Sequence, residues 1–364
     1  MRVVLSGYYG FDNVGDEAIL YAIIHSLKEY QPNIEIVVLS NKPEKTAQTY
    51  RVKAVNRWSL KEVRATIKSS DGLISGGGSL LQDETGFKSI PYYAGVIKIA
   101  QQLKKPVFVY AQGMGPISNK LNQMIVKHVL NAVQLLTVRD QQSEQLLKKI
   151  GVAADIQLVP DPVMGIDASG FHSSWLQQQN FQRKVITVSV RNWANDNYAF
   201  QEIASGLDKL AAKGHEIVFV PMHGIHDFKT SQSIEDLMTN NVYIAPHDST
   251  IQEKMAIVKE SDVLFGMRLH ALIFAAVGTT PFVALSYDPK IDSFAEIVNQ
   301  PVLGHVESKD WNATGLVEAI EHILSNYPDV HEKLEKEVAP LQKSANATAR
   351  AVIDSVTRLA AGTN

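Results

Sequence analysis

Five successive runs of apolar, mostly β-branched residues in the second half of the chain each end on a basic or imidazole side chain. Val185–Val190 leads into Arg191, Glu216–Val220 into His223, and Val242–Ile244 into His247. Asp262–Phe265 leads into Arg268 and His270, and Pro281–Leu285 into Ser286 and Lys290. One such residue is commonplace, but a whole rim of them is a ligand signal. Arginine offers a planar fork for carboxylate or phosphate and lysine a point charge, so the expected ligand is a small, multiply charged anion. His223 and His226 stand three apart with no carboxylate at ligand spacing, so no metal centre is expected.

The first half carries a different set. Its first strand exits into Gly7-Tyr8-Tyr9-Gly10-Phe11-Asp12-Asn13, with Gly15, Asp16 and Glu17 just beyond. The glycines permit tight turns and close backbone approach, and Asn13 and Asp16 can cap a helix beginning near Glu17. No Lys-Ser/Thr pair follows and the spacing is not GxGxxG. Asp12, Asp16 and Glu17 would repel a phosphate, so a hydroxyl-rich, uncharged ligand suits this loop better. The third strand exits into Gly76-Gly77-Gly78, followed by Gln82 and Asp83. Three consecutive glycines are costly in chain entropy, which points to close contact with a ligand or with another domain.

These exits need strands and helices to hold them. Short apolar runs alternate with helical patterns, the mark of parallel βαβ units. The first half reads as strands at 3–6, 35–39, 72–74, 107–110, 135–138 and 157–159, with helices such as 17–30 and 123–133 between them. Residues 160–183 are rich in proline, glycine and serine. The pattern then restarts, with helices expected at 200–212, 234–238, 250–259, 271–276 and 311–325 and a last one at about 341–359. The expectation is an α/β chain of two doubly wound domains: an N-terminal domain 1–165, a linker 166–183, a C-terminal domain 184–330 and a helical segment 331–364. Ligands in such sheets lie beyond the carboxyl ends of the strands.

Composition narrows the class. The chain has 364 residues, 45% of them hydrophobic and 20% charged, which suits a large globular core. There is no cysteine, which removes disulfides, thiolate metal sites and thiol nucleophiles. The net charge of −3 argues against a general nucleic-acid binder. It also averages two unlike parts. Residues 1–165 hold 19 Lys and Arg against 14 Asp and Glu, and residues 166–364 hold 16 against 24. No apolar run approaches the roughly 20 residues of a spanning helix, and the first residues lack a signal-peptide pattern. The expected address is the cytoplasm, peripheral to the membrane.

Gly266-Met267-Arg268-Leu269-His270-Ala271, then Gly278-Thr279-Thr280-Pro281, then Tyr287-Asp288-Pro289-Lys290, together with both N-terminal glycine loops, closely resembles the polysaccharide pyruvyl transferase family of the CsaB type. The likeness covers residues 1 to about 330. It implies a fold like that of B-type glycosyltransferases, with two Rossmann-like domains facing across a cleft. It also implies transfer of a pyruvyl unit from phosphoenolpyruvate, a substrate and not a cofactor, to an N-acetylmannosamine unit of a lipid-linked secondary cell-wall polymer precursor. The product would be a pyruvate ketal that anchors S-layer proteins. Phosphoenolpyruvate carries a carboxylate and a phosphate, and the basic rim matches that charge.

On this reading Arg191, Arg268, His270, Lys290, His223 and Ser286 bind the donor. The acceptor is met by Gly7, Gly10, Asn13, Asp16, Gly76, Gly77, Gly78, Gln82 and Asp83. His270 serves as acid/base or bonds the leaving phosphate, Arg268 holds carboxylate or phosphate, and Asp16 or Asp83 activates the acceptor hydroxyl. Two rivals are a sugar-nucleotide glycosyltransferase and a non-catalytic anion- or sugar-binding protein. Glycosyltransferases of this fold often carry a ribose-gripping acid on the helix before the GxP unit. Here that position falls near Ile273, in Ala-Leu-Ile-Phe-Ala-Ala-Val, which has no acid. Finally, Arg57, Lys61, Arg64 and Lys68 recur at helical spacing beside Trp58 and Leu60, which suggests a basic helix face that meets anionic lipid or an acceptor diphosphate.

Overall fold

The structure is a computed structural model that describes residues 1–84, 86, 88–193 and 197–361. It divides into two compact units: Met1–Gly165 with Gln342–Asn364, and Ile166–Leu341.

The first unit is built on a parallel sheet of β1 (Arg2–Ser6), β2 (Glu35–Ser40), β3 (Lys53–Asn56), β4 (Gly72–Ser75), β5 (Gly78–Leu81), β6 (Val107–Met114), β7 (Leu135–Val138) and β8 (Ile156–Leu158). Their order is β3-β2-β1-β4-β6-β7-β8, with β5 paired to β6. The helices are α1 (Val14–Tyr30), α2 (Pro43–Tyr50), α3 (Leu60–Lys68), α4 (Ser89–Gln102), α5 (Lys120–Leu130) and α6 (Gln141–Lys149). Side chains on a strand alternate between faces. Val107 and Val109 therefore join one core with Val63 and Ile67 of α3, Ile97 of α4 and Val126 of α5. Tyr110 points to the other face, where it bonds Ser26 of α1 and the Ala349 backbone.

The second unit repeats the plan. It contains α7 (Ser174–Gln179), β9 (Val185–Ser189), α8 (Asn197–Ala212), β10 (Glu216–Phe219), α9 (Gly224–Glu235), β11 (Tyr243–Ile244), α10 (Ile251–Lys259) and β12 (Val263–Gly266). It continues through α11 (Leu269–Val277), β13 (Phe282–Ser286), α12 (Pro289–Ile297), β14 (Val302–His305) and α13 (Ala313–Ser325). The order β11-β10-β9-β12-β13-β14 reverses between β9 and β12, as the first sheet reverses between β1 and β4. Those two reversals are where doubly wound sheets bind ligands. Helix α11 is buried along nearly all its length, and each fully buried aliphatic or aromatic side chain contributes about 1.5–3 kcal/mol. The loop after β12 is therefore anchored by one of the most apolar helices of the chain.

Several expected elements differ. The predicted linker contains α7, whose neighbouring Ser173 bonds Glu253 of α10 through its hydroxyl (2.8 Å). The terminal segment is two helices, α14 (Tyr327–Ala345) and α15 (Ala347–Ala361), with Pro340 inside the first. Helix α15 packs on α1, so the chain ends within the first unit. The helix expected at 234–238 instead begins at Gly224.

Candidate functional site

In the second unit, a cavity of about 410 Å³ opens at the carboxyl ends of β9, β10 and β12. Arg191, His223, His226, Lys229 and Arg268 line it, together with Asp227, Asn192 and Phe200. It lies at the β9/β12 reversal because Arg191 and Arg268 each follow the last residues of those strands. Three of the six expected donor residues, Arg191, His223 and Arg268, thus share one cavity.

Asp227 is the organiser that sequence reading missed. It is almost fully buried and accepts two bonds from Arg268, from Nε at 2.9 Å and from Nη2, and another from the Met222 amide at 3.2 Å. Nε and one hydrogen of Nη2 are therefore committed to Asp227, which leaves the Nη1 edge of Arg268 for a ligand in the cavity that it lines. Lys254, also missed, is completely buried. Its Nζ donates to the carbonyls of Pro221 (2.7 Å), Pro246 (3.3 Å) and His247 (3.1 Å). One ammonium thereby ties the β10 exit to the β11 exit, and burial pushes its pKa down to about 8. Burial, with Arg268 nearby, also lowers the pKa of His223, which favours a neutral imidazole.

Arg191 is held by aromatic faces, 4.3 Å from the Tyr287 centroid and 5.4 Å from that of Trp193. Its Nε is buried and has no hydrogen-bond partner among the described residues. Lys290 lies on the same ring, 5.8 Å from the centroid, and donates to Asp288 at 2.6 Å. Lys290 is therefore a paired cation, not the bare point charge expected. Ser286 is a correction: its hydroxyl is buried and donates to Asp292 at 2.6 Å, so it serves the α12 turn. His270 stands on the first turn of α11, two residues after Arg268 and half-buried. That helix carries no acidic residue.

The first unit corrects more of the expectations. Asn13 caps α1, accepting from Gly15 N at 3.0 Å, and the helix starts at Val14. Glu17 closes the loop, accepting from Gly10 N (2.7 Å) and the Tyr50 hydroxyl (2.5 Å). Gly10 has φ +81°, and a Cβ there would lie 2.4 Å from Ser40 Oγ. The expected ligand glycines have internal reasons. A Cβ on Gly7 or Gly76 would stand 2.2 Å from the buried Tyr9 phenol, and one on Gly77 2.9 Å from Ile19. Gly78, at φ +87°, leaves room for Asp16, whose Oδ1 lies 2.7 Å from where its Cβ would be. Gln82 is buried. Asp83 accepts from the amides of Ser118 (2.9 Å) and Asn119 (2.9 Å), which hold its carboxyl below the usual range. It is thus a structural acceptor and a poor base. Asp16 is half-buried at this exit.

Arg57 is the other correction, since it precedes α3 and is buried. Its guanidinium sits among Tyr92 (4.3 Å), Trp58 (5.0 Å), Phe11 (5.1 Å) and Tyr93 (5.3 Å). It donates to the Gly7 carbonyl at 2.9 Å. Phe11 in turn stacks on Tyr8 at 4.1 Å. Arg57 is therefore a clamp on the β1 exit, not part of a solvent-facing helix. Arg139 pairs with buried Asp161 at 2.9 Å. Among the described residues, no three His, Asp or Glu side chains gather as a metal site would require.

A family model described as polysaccharide pyruvyl transferase matches residues 13–289. The amylovoran biosynthesis protein AmsJ of Erwinia amylovora is 20% identical over 420 residues, covering 98% of this chain and 100% of AmsJ. Solved structures share the fold at lower identity. HepE of Anabaena in complex with UDP-glucose aligns with a TM-score of 0.67 at 13% identity, over 98% of this chain and 100% of that one. Sucrose-phosphate synthase of Thermosynechococcus elongatus aligns at 0.68 and 12%, over 100% of both. UDP-GlcNAc 2-epimerase of Neisseria meningitidis bound to UDP-GlcNAc aligns at 0.65 and 13%, over 98% and 100%. The architecture of these proteins, two Rossmann-like units of the B-type glycosyltransferase kind, is that of this chain.

Proposed function

The chain belongs to the polysaccharide pyruvyl transferase family, and from that premise we propose that phosphoenolpyruvate is its donor and an amino sugar its acceptor. The acceptor in this reading is N-acetylmannosamine in a lipid-linked secondary cell-wall polymer precursor, and the product a pyruvate ketal that serves S-layer anchoring. The observation that supports the donor is the cavity at the β9/β12 reversal, where Arg191, Lys229 and the outer edge of Arg268 converge on a space of about 410 Å³. A three-carbon dianion or trianion fits that charge. The absence of an acid on α11 removes the usual grip on a nucleotide ribose.

The chemistry balances without a cofactor. A proton is delivered to the methylene carbon of phosphoenolpyruvate, and the neighbouring carbon becomes oxocarbenium-like. A sugar hydroxyl adds there and loses its proton. Inorganic phosphate leaves with the C–O bond electrons, and a second hydroxyl of the sugar closes the ketal as its proton departs. His270 is assigned the acid/base role or a bond to the leaving phosphate, Arg268 and Arg191 the anion clamp, and Lys290 its outer edge. Asp16 is assigned to the acceptor hydroxyl, a task for which a carboxylate needs position and modest desolvation. Asp83 and Ser286 are withdrawn from the machinery, since both are committed to structural hydrogen bonds.

The test is phosphate release from phosphoenolpyruvate with candidate amino-sugar glycolipids, run beside UDP-sugars. Release that needs the acceptor, and that falls in His270→Ala and Arg268→Ala, supports the reading. Turnover of a UDP-sugar with phosphoenolpyruvate inert would replace it with glycosyl transfer. Full release in both variants would overturn the residue roles.

A further inference from the structure

The four most exposed large apolar side chains among the described residues are Met124 (66%), Leu60 (65%), Leu121 (63%) and Trp58 (59%). They sit at the starts of α3 and α5. Strands β3 and β6 are parallel to the rest of the sheet, so the helices that follow them both begin at its carboxyl edge. Helix α4 lies between them, packed against both. The apolar residues thus flank one helical layer at a single edge, instead of being scattered singly as surface apolar residues usually are.

The surrounding charge is lopsided. Between Glu84 and Asp140 the chain has no acidic residue, against seven Lys and Arg. On α5 the exposed face runs through Leu121, Met124 and Lys127, with Lys120 at its start. On α3, Leu60 is followed by exposed Lys61, Arg64 and Lys68, with Glu62 the acid of that helix. Lysine and arginine stems lie along an apolar surface while their heads reach anions. Apolar residues that enter an interface, rimmed by cations that attract the headgroups, are what a peripheral protein presents to an anionic bilayer.

We propose that the edge formed by the starts of α3 and α5 docks the first unit on an anionic lipid bilayer, with Leu60, Leu121 and Met124 entering the headgroup region. The docked edge is the one that carries Asp16 and the β1 exit, so an acceptor borne on a lipid is met where it emerges. This rests on the part of the proposed function in which the acceptor is lipid-borne.

The test is flotation of the full chain with vesicles of phosphatidylcholine alone and of phosphatidylcholine mixed with phosphatidylglycerol. Binding is expected to the mixed vesicles, at least about tenfold above neutral ones, and to weaken with salt. The doubly substituted L121E/M124E and K120E/K127E chains are expected to lose most of it. Leu237→Glu, on an exposed position of the second unit, is expected to keep it. Equal binding to neutral vesicles, no binding, or binding that survives both double substitutions overturns the proposal. So does equally tight binding of a soluble acidic polysaccharide that is lost in the same variants. Phosphate release with a soluble acceptor, measured in parallel, separates the two readings. Turnover that persists as vesicle binding is lost supports docking, and absent turnover in the wild type strikes the donor assignment alone.

Discussion

Asp227→Asn removes one charge at nearly constant shape and strikes the centre of the cavity. The carboxylate accepts from two Arg268 nitrogens and the Met222 amide. An asparagine has one oxygen for those three donors, and its amide hydrogens point at the guanidinium. Deleting one partner of a buried ion pair costs about 3–5 kcal/mol. Arg268 retains some solvent contact at 20% side-chain exposure, which places the loss near the lower bound, about 3 kcal/mol. At about 2–4 °C per kcal/mol for a unit of this size, the second unit should melt roughly 6–12 °C lower. A freed Arg268 also loses the orientation of its outer edge. Loss of one charge-assisted bond to the donor, about 1.5–3 kcal/mol, lowers kcat/KM for phosphoenolpyruvate roughly 10- to 150-fold. Thermal melts of Asp227→Asn, Arg268→Met and the double variant form the cycle. The double variant should be more stable than Asp227→Asn, since it no longer buries an unpaired cation. Additive losses, or a single variant that melts like the wild type, would refute the reasoning.

Three further outcomes follow from the same geometry. Burial holds Lys254 at about 8, against 10.5 in the unfolded chain, so between those values the unfolded state binds more protons and stability rises with pH. Urea melts across that window should show the rise in the wild type and its absence in Lys254→Met; an unchanged slope sinks the assignment. Gly76→Ala drives a methyl against the Tyr9 hydroxyl and should cost about 1–3 kcal/mol, with Tyr9→Phe restoring part of it; no rescue would remove Tyr9 as the reason for the glycine. Burial raises the Glu17 carboxyl, so Glu17→Gln, which keeps the acceptor for Gly10, should be neutral or stabilising by up to about 1 kcal/mol at neutral pH, while Glu17→Ala destabilises. A strongly destabilised glutamine variant would show that the charge is needed.

Both sheets are legible because their central strands carry apolar, β-branched runs such as Val3–Leu5 and Val263–Phe265. Strands β3, β5 and β14, four residues each, carry no such signal. Edge strands β3 and β14 are partly exposed and lack an apolar run. Helix α9 begins ten residues before the apolar pattern indicates because its first turns, Gly224 to Thr230, bury Asp227 and Thr230 instead of an apolar stripe. That displacement hid Asp227, whose partner lies 41 residues away. The helical spacing of Arg57 with Lys61 and Arg64 continues back past Ser59, where α3 has not begun. The glycine loops suggest room for a ligand or another domain, and local sequence does not say that Tyr9 and Asp16 occupy the space. The basic strand exits were legible because each is encoded at the end of its own strand. The counter-charge of Lys290, Asp288, is local, whereas that of Arg268, Asp227, lies 41 residues away.

The most direct test of the central claim is the fate of the enol carbon. Phosphoenolpyruvate isotopically labelled at that carbon, incubated with the full chain and an amino-sugar acceptor, should yield phosphate and a sugar whose labelled carbon bears a methyl, a carboxylate and two sugar oxygens. In Arg191→Met the yield should fall roughly 10-fold or more, as expected for the loss of a charge-assisted contact. Label that stays in phosphoenolpyruvate, or leaves as free pyruvate with the sugar unchanged, would contradict the account.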